Sequence, residues 1–81
     1  MSTASPRHFR VLTFASTHDA LSAEALLDDL GFDVVPVPAP PSLSANCGIA
    51  LRVELSDADR ASVYLERAGI EVERATDFED F

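Results

Sequence analysis

The sequence has a single cysteine and no lysine. A lone cysteine excludes an internal disulfide and any zinc site built from several cysteines. The six basic residues are all arginines, scattered singly along a chain of net charge −8. Because nucleic-acid binding needs clustered basic side chains, this distribution argues against a nucleic-acid partner. No apolar run is long enough to span a membrane and no signal peptide is visible, so we expect a cytoplasmic protein without a membrane partner.

The chain length of 81 residues limits the hydrophobic core. A single domain of this size buries roughly 60–65% of the surface of its unfolded chain, which favours association with a second copy or a partner. The composition, 47% hydrophobic and 25% charged, is typical of a globular domain. We therefore expect a flexible lead-in at 1–8, one domain at 9–76 and an acidic tail at 77–81.

Stretches rich in β-branched and alternating apolar residues predict four strands. These strands are expected at 9–14, 32–37, 49–54 and 70–75. Pro36 lies within the second of them and cannot donate a hydrogen bond to a sheet ladder. The second strand is therefore expected at an edge of the sheet.

Two segments show the periodicity of amphipathic helices. The first is expected to begin after Ser16, whose side chain caps it while Asp19 takes the position of the capping-box acid. It should end at Gly31. The second helix is expected to begin with similar capping chemistry at Ser56 and to end at Gly69.

The resulting order, β-α-β-β-α-β, is typical of the ferredoxin-like α+β fold. Right-handed crossovers place both helices on one face of a four-stranded antiparallel sheet. The first and third strands are then antiparallel neighbours, so the end of the first lies beside Cys47 and Gly48. The first helix begins at the same edge, and its N–H groups near Thr17 favour an anion. Such a position lowers the pKa of a thiol and makes it more nucleophilic.

The candidate functional residues share this predicted junction of helix and strand. They are Cys47 as the reactive thiol, with Gly48, Ser16, Thr17, His18 and Asn46 as binding residues. Gly48 can adopt a positive φ or allow another group to approach closely. Hydroxyl groups can hydrogen-bond a sulfur anion, His18 can act as an acid or base, and Asn46 can orient the thiol or form a turn.

Each of these residues also has a purely structural interpretation. Free cysteines are commonly buried as small apolar side chains, capping alone explains Ser16, and a solvated histidine explains His18. Arg52 is expected to be a surface charge. A metal site made by the cysteine and both histidines is disfavoured because His8 lies in the expected lead-in. We therefore expect no metal and no bound cofactor.

Two separated segments resemble the motifs of one family. Residues 13–17 read Thr-Phe-Ala-Ser-Thr, and residues 47–52 read Cys-Gly-Ile-Ala-Leu-Arg. They resemble the T-F-x-S-T segment and the C-G-(I/L)-A-L-R signature of a bacterial family of selenium/sulfur carrier-like proteins. The resemblance covers residues 9–75. The chain departs from the family at Pro41, where a basic residue is common, which puts a charge-based contribution to anion binding in doubt.

The resemblance implies that Cys47 carries sulfur or selenium as a persulfide or perselenide and passes it to an acceptor protein. Donor and acceptor proteins are then the expected partners, and a second copy of the chain is a further candidate. The alternative is a non-catalytic regulatory or interaction module of the same fold. In that case Cys47 only packs, and the sheet face without helices, which includes Ala50, binds another copy. A stand-alone thiol enzyme is less favoured because no second catalytic group is evident.

Overall fold

A computed structural model describes residues 8–39 and 48–79 of the chain. The elements are β1 (His8–Thr13), α1 (Thr17–Asp29), β2 (Val34–Pro38), β3 (Ile49–Glu54), α2 (Leu55–Arg67) and β4 (Arg74–Glu79). The strands form one sheet of order β2-β3-β1-β4, in which every neighbouring pair is antiparallel. This arrangement confirms the ferredoxin-like α+β fold. It also confirms that β2, which contains Pro36, is an edge strand.

One apolar cluster fills the space between the helices and the sheet. Each helix contributes three buried residues at the same i, i+3, i+7 spacing, and alternate residues of the two central strands face them. The cluster contains Ala20, Ala23, Leu27, Ala58, Ala61, Leu65, Leu12, Phe14, Leu51 and Val53. Since both helices contribute to the same cluster, they lie on one face of the sheet.

Within the described parts of the chain, no helix has the length and apolarity needed to cross a membrane.

Helix α1 ends in a Schellman motif, which explains why the second strand begins later than expected. Gly31 has a φ of 90° and its N–H donates to the carbonyl of Asp28. The N–H of Phe32 donates to the carbonyl of Leu27 at 2.9 Å, and the Phe32 ring packs against the apolar cluster. Phe32 therefore terminates the helix, and β2 starts only at Val34.

The same motif ends α2 and displaces the last strand. The N–H of Ile70 donates to the carbonyl of Leu65 at 2.9 Å, after Gly69 with a φ of 76°. Ile70 then packs against the cluster instead of pairing in the sheet. The expected strand at 70–75 is therefore wrong for residues 70–73, because its first residues close the helix and cover the core. The observed strand is β4, at Arg74–Glu79.

Both ends of the expected domain extend further than the sequence indicated. His8, assigned to the lead-in, pairs with Glu79, assigned to the acidic tail, and Phe9 pairs with Phe78. These pairs belong to the ladder between β1 and β4. The lead-in at 1–8 and the tail at 77–81 are therefore wrong for residues 8 and 77–79. Residues 1–7 and 80–81 lie outside the described part of the chain.

Helix α2 begins directly at the end of β3. Its N-cap is Glu54, which makes no side-chain capping hydrogen bond, and Leu55 is already helical. The expected cap at Ser56 is therefore wrong by two residues, because the strand leads into the helix without a connecting turn. Asp57 lies in the first turn and accepts a hydrogen bond from Arg60 at 2.7 Å.

Arg10 of β1 connects three elements. Its Nε donates to Asp77 Oδ1 of β4 at 2.7 Å, and its Nη2 donates to Asp77 Oδ2 at 3.3 Å. Its Nη1 lies 3.3 Å from Asp59 Oδ1 of α2. The hydrogen bond from Arg10 holds the pKa of Asp77 below its ordinary value of 3.8, and it raises the pKa of Arg10. The acidic strand β4 is thus held by a bidentate ion pair.

Replacing Asp77 by Asn should lower the free energy of unfolding at about pH 7 and make it less sensitive to acid. The folded-state pKa of Asp77 is lowered, so its stabilisation is present above the ordinary pKa and is lost as the pH falls through the folded value. Urea unfolding at about pH 7 and about pH 3 measures the difference. Asp33→Asn, an exposed control, should follow the wild type. A parallel acid loss in wild type and Asp77→Asn would contradict the role given to this ion pair.

Replacing Leu51 by Ala should destabilise the fold by about 2–5 kcal/mol, because Leu51 is fully buried in a central strand. Leu21→Ala on α1 is the matched control, since Leu21 is 50% exposed and its truncation leaves no cavity. Urea unfolding of both variants gives the two values. Equal losses in the two variants would show that the apolar cluster does not dominate stability.

Candidate functional site

The candidate site was predicted where the first helix and the third strand begin. The antiparallel register pairs Leu12 with Leu51, so β1 ends beside the start of β3. Helix α1 begins at Thr17, soon after β1 ends at Thr13. The end of β1, the start of β3 and the start of α1 therefore lie on one side of the domain. Cys47 and Asn46 lie outside the described residues.

Gly48 is the described residue next to the thiol. It is exposed, and its carbonyl accepts a hydrogen bond from the N–H of Ala39 at 3.0 Å. This contact extends the β2–β3 ladder one position beyond the pair of Pro38 and Ile49. The connection between β2 and β3 thus starts and ends at a hydrogen-bonded pair, which fixes where the chain re-enters the sheet.

The structure does not show the positive φ that glycine would allow at position 48. Its φ lies outside the left-handed region, unlike those of Gly31 and Gly69. A Cβ built on it would meet none of the described atoms within 4 Å. The pairing with Ala39 explains this, because a residue that continues a ladder has ordinary strand geometry.

Ser16 caps α1 as predicted. Its φ of −144° and ψ of 157° are extended, and its Oγ accepts a hydrogen bond from the N–H of Asp19 at 3.1 Å. The first helical backbone bond is made by the N–H of Ala20 to the Ser16 carbonyl at 3.2 Å. The positive end of the helix dipole therefore faces this side of the domain, and the Asp19 carboxylate in the first turn opposes part of it.

Thr17 and His18 are exposed residues in the first turn of α1. Among the described residues, the His18 ring has no hydrogen bond or ion pair, as expected of a solvated side chain. The disfavoured metal trio gains no support, because His8 lies at the opposite end of β1 from His18. A six-residue strand separates the two rings along the sheet.

Thr13 and Phe14 of the first motif have structural roles. Thr13 is fully buried, its hydroxyl lies 3.3 Å from the carbonyl of Arg74, and its own carbonyl accepts from the N–H of Glu73 at 2.8 Å. Phe14 is buried in the cluster between sheet and helices. The motif therefore joins β4 to the end of β1 and directs the chain into the capped start of α1.

Arg52 of the second motif is not the free surface charge that the sequence indicated. It is partly buried, and its guanidinium carbon lies 4.2 Å from the centre of the Phe9 ring on β1. A cation placed over an aromatic face is attracted by the ring quadrupole, and more strongly when it is removed from water. No signal in the local sequence shows this contact, because the two residues meet only across neighbouring strands.

The centre of the sheet face without helices is buried. Phe9, Val11 and Ala50 are buried, although they do not belong to the cluster beneath the helices. Strand alternation places them on the opposite side of the sheet from Leu12 and Leu51. The expected apolar residues therefore lie on this face, but Ala50 and its strand β1 neighbours are buried, and the apolar residues that are partly exposed there are Val35, Val37 and Phe78.

Replacing Ser16 by Ala should destabilise the protein by about 1 kcal/mol, because the N–H of Asp19 loses its capping acceptor. The matched control is Ser22→Ala in the middle of α1, where alanine favours the helix and no loss is expected. Thermal and urea unfolding compare the two variants. If both change stability equally, the Ser16 cap does not hold the start of the helix.

Known proteins were compared with the whole chain. Neither the curated proteins nor the solved structures gave a match. A family model described as "Putative Se/S carrier protein-like" matches residues 9–76. The matched span contains both sequence motifs and runs from the second residue of β1 to the third residue of β4. Because the match extends over most of the sequence, the chain belongs to this selenium/sulfur carrier-like family.

Proposed function

We propose that the protein carries a sulfur or selenium atom on Cys47 and passes it to an acceptor protein. The observation that carries this proposal is the family match over residues 9–76. Cys47 lies within the matched span and is the only thiol in the sequence. A persulfide or perselenide needs a thiolate to which the transferred atom is attached, so the chemistry has one candidate residue.

The proposed transfer is an exchange without net oxidation. The Cys47 thiolate attacks the outer sulfur of a donor persulfide, a new S–S bond forms, and the donor S–S bond breaks as the donor leaves as a thiolate. Selenium follows the same path when the donor holds an S–Se bond. An acceptor thiolate then repeats the attack on the carrier. The exchange consumes no cofactor, and its partners are the donor and acceptor proteins.

The described neighbours of Cys47 support a role in holding an anion. Gly48 is tied to Ala39 at the side of the domain where β1 ends and α1 begins. The helix start there favours negative charge. Residues 38–47 contain no Lys or Arg, and Pro41 takes the position that is often basic in the family. Stabilisation of a terminal sulfur or selenium anion would therefore rest on backbone N–H groups instead of a cation within this segment.

The proposed setting is the cytoplasm, where a thiol remains reduced and available for exchange. The alternative, an interaction module in which Cys47 only packs, would use the sheet face without helices. Val11 and Ala50 are fully buried on the sheet face that was expected to bind a second copy. The family match favours the carrier function, which requires no homodimer.

Sulfur loading tests the carrier function. Incubation with a cysteine desulfurase and cysteine should add the mass of one sulfur atom to the wild type, and a reductant should remove it. Cys47→Ser should gain nothing. The matched control, Cys47→Ser combined with Ser44→Cys, keeps one thiol in the same connection and should load much more slowly. Equal loading of this control and the wild type would show that the position of Cys47 has no special role.

The pH dependence of alkylation tests the proposed activation of the thiol. The iodoacetamide rate should rise through an apparent pKa below about 8.5, the ordinary value for cysteine. The relocated thiol of the Ser44→Cys control should titrate nearer that ordinary value. A wild-type titration at or above it would remove the proposed anion stabilisation at this site.

A further inference from the structure

An open groove lies between α2 and the chain that connects it to β4. Its volume is about 530 Å³, and its apolar lining includes Val63, Ile70, Val72 and Ala75. Val63 is 43% exposed, while Ile70 and Val72 are half-buried against the core. The volume lies within the range of sites that bind small molecules or a few side chains. The groove therefore offers a concave apolar surface on an otherwise charged domain.

Two carboxylates rim this groove. Glu66 and Glu71 are both exposed, and neither makes an ion pair within residues 8–39 and 48–79. Four other acids lie within 4 Å of a side-chain nitrogen of Arg60, Arg10 or His8. These are Asp57, Asp59, Asp77 and Glu79. None of the lining residues is basic. The groove thus combines an apolar floor with unpaired negative charge.

The groove reaches the side of the domain that carries the candidate site. The connection along its edge is fixed to the end of β1, because the N–H of Glu73 donates to the carbonyl of Thr13 at 2.8 Å. Arg74 pairs with Thr13 in the sheet. Thr13 leads within a few residues to the start of α1 at Thr17. A segment seated in the groove would therefore approach the same end of the sheet as residue 48.

We infer that this groove docks a segment of a partner protein in which an apolar side chain is flanked by lysine or arginine residues. The apolar side chain covers Val63 and Val72, and the flanking cations pair with Glu66 and Glu71. A second copy of this chain is a poor occupant, because two molecules of net charge −8 repel each other. The inference rests on the proposed function only in identifying the partner as the donor or acceptor.

A designed peptide tests the docking. The probe is a short fluorescein-labelled peptide with a Leu-Val pair between lysines, and its counterpart carries glutamates instead of lysines. Fluorescence anisotropy with the full Cys47→Ser chain measures affinity without any thiol reaction. The lysine peptide should bind to the Cys47→Ser chain. Adding Glu66→Gln and Glu71→Gln to that chain should lower its affinity for the peptide about fivefold. Binding should also weaken as the salt concentration rises.

The matched control is Glu24→Gln/Asp28→Asn on α1, which changes the net charge equally at two other acids without described ion pairs. It should change the affinity by less than about twofold. Amide chemical shifts should move within residues 62–75 and not along α1. No binding, equal binding of the two peptides, or equal weakening by both double variants would overturn the inference.

The outcomes also distinguish peptide docking in the groove from the proposed carrier function of Cys47. If the lysine peptide binds at the groove but the wild type accepts no sulfur, the groove is a docking site and the carrier function fails. If sulfur is loaded on Cys47 but the peptide does not bind, carriage stands and the groove has no part in it.

Discussion

Strand β1 is hydrogen-bonded to β4 along its whole length and to β3 along most of it. The four consecutive residues 11–14 are fully buried. An antiparallel sheet with helices on one face usually exposes alternate residues, so burial on both sides makes β1 the centre of the domain. Its end determines where α1 starts, where β4 starts and where β3 enters the sheet. The position of the candidate site is therefore a consequence of how β1 is paired.

The first motif shows how local chemistry uses that position. The Thr13 carbonyl accepts a hydrogen bond from the segment that leads into β4, Phe14 packs in the core, and Ser16 caps the helix. Each of these roles concerns folding, yet together they orient the positive end of α1 toward the side from which β3 begins. A site for a sulfur or selenium anion can thus be built from groups that contribute to stability in their own right.

The acidic residues fall into two groups: some form ion pairs that hold the fold together, and others are available to attract a partner. Arg10 forms ion pairs with Asp59 of α2 and Asp77 of β4, so part of the negative charge contributes to the fold. Glu66 and Glu71, which make no ion pair with another described residue, contribute to a negative surface. Such a surface accelerates encounters with positively charged partners and makes their association dependent on salt. Fast and reversible encounters would suit the proposed carrier function, in which the chain meets a donor and then an acceptor.

The sequence by itself determined the order of the elements, the cap at Ser16, the glycines that end both helices and the edge position of β2, because each signal acts within a few residues. Only the tertiary structure decided that Ile70 closes a helix and covers the core, and that β4 lies at 74–79. It also decided that Arg52 stacks on Phe9. These outcomes depend on contacts between residues that are far apart in the sequence. The local sequence around an apolar or charged residue does not show whether such a contact forms.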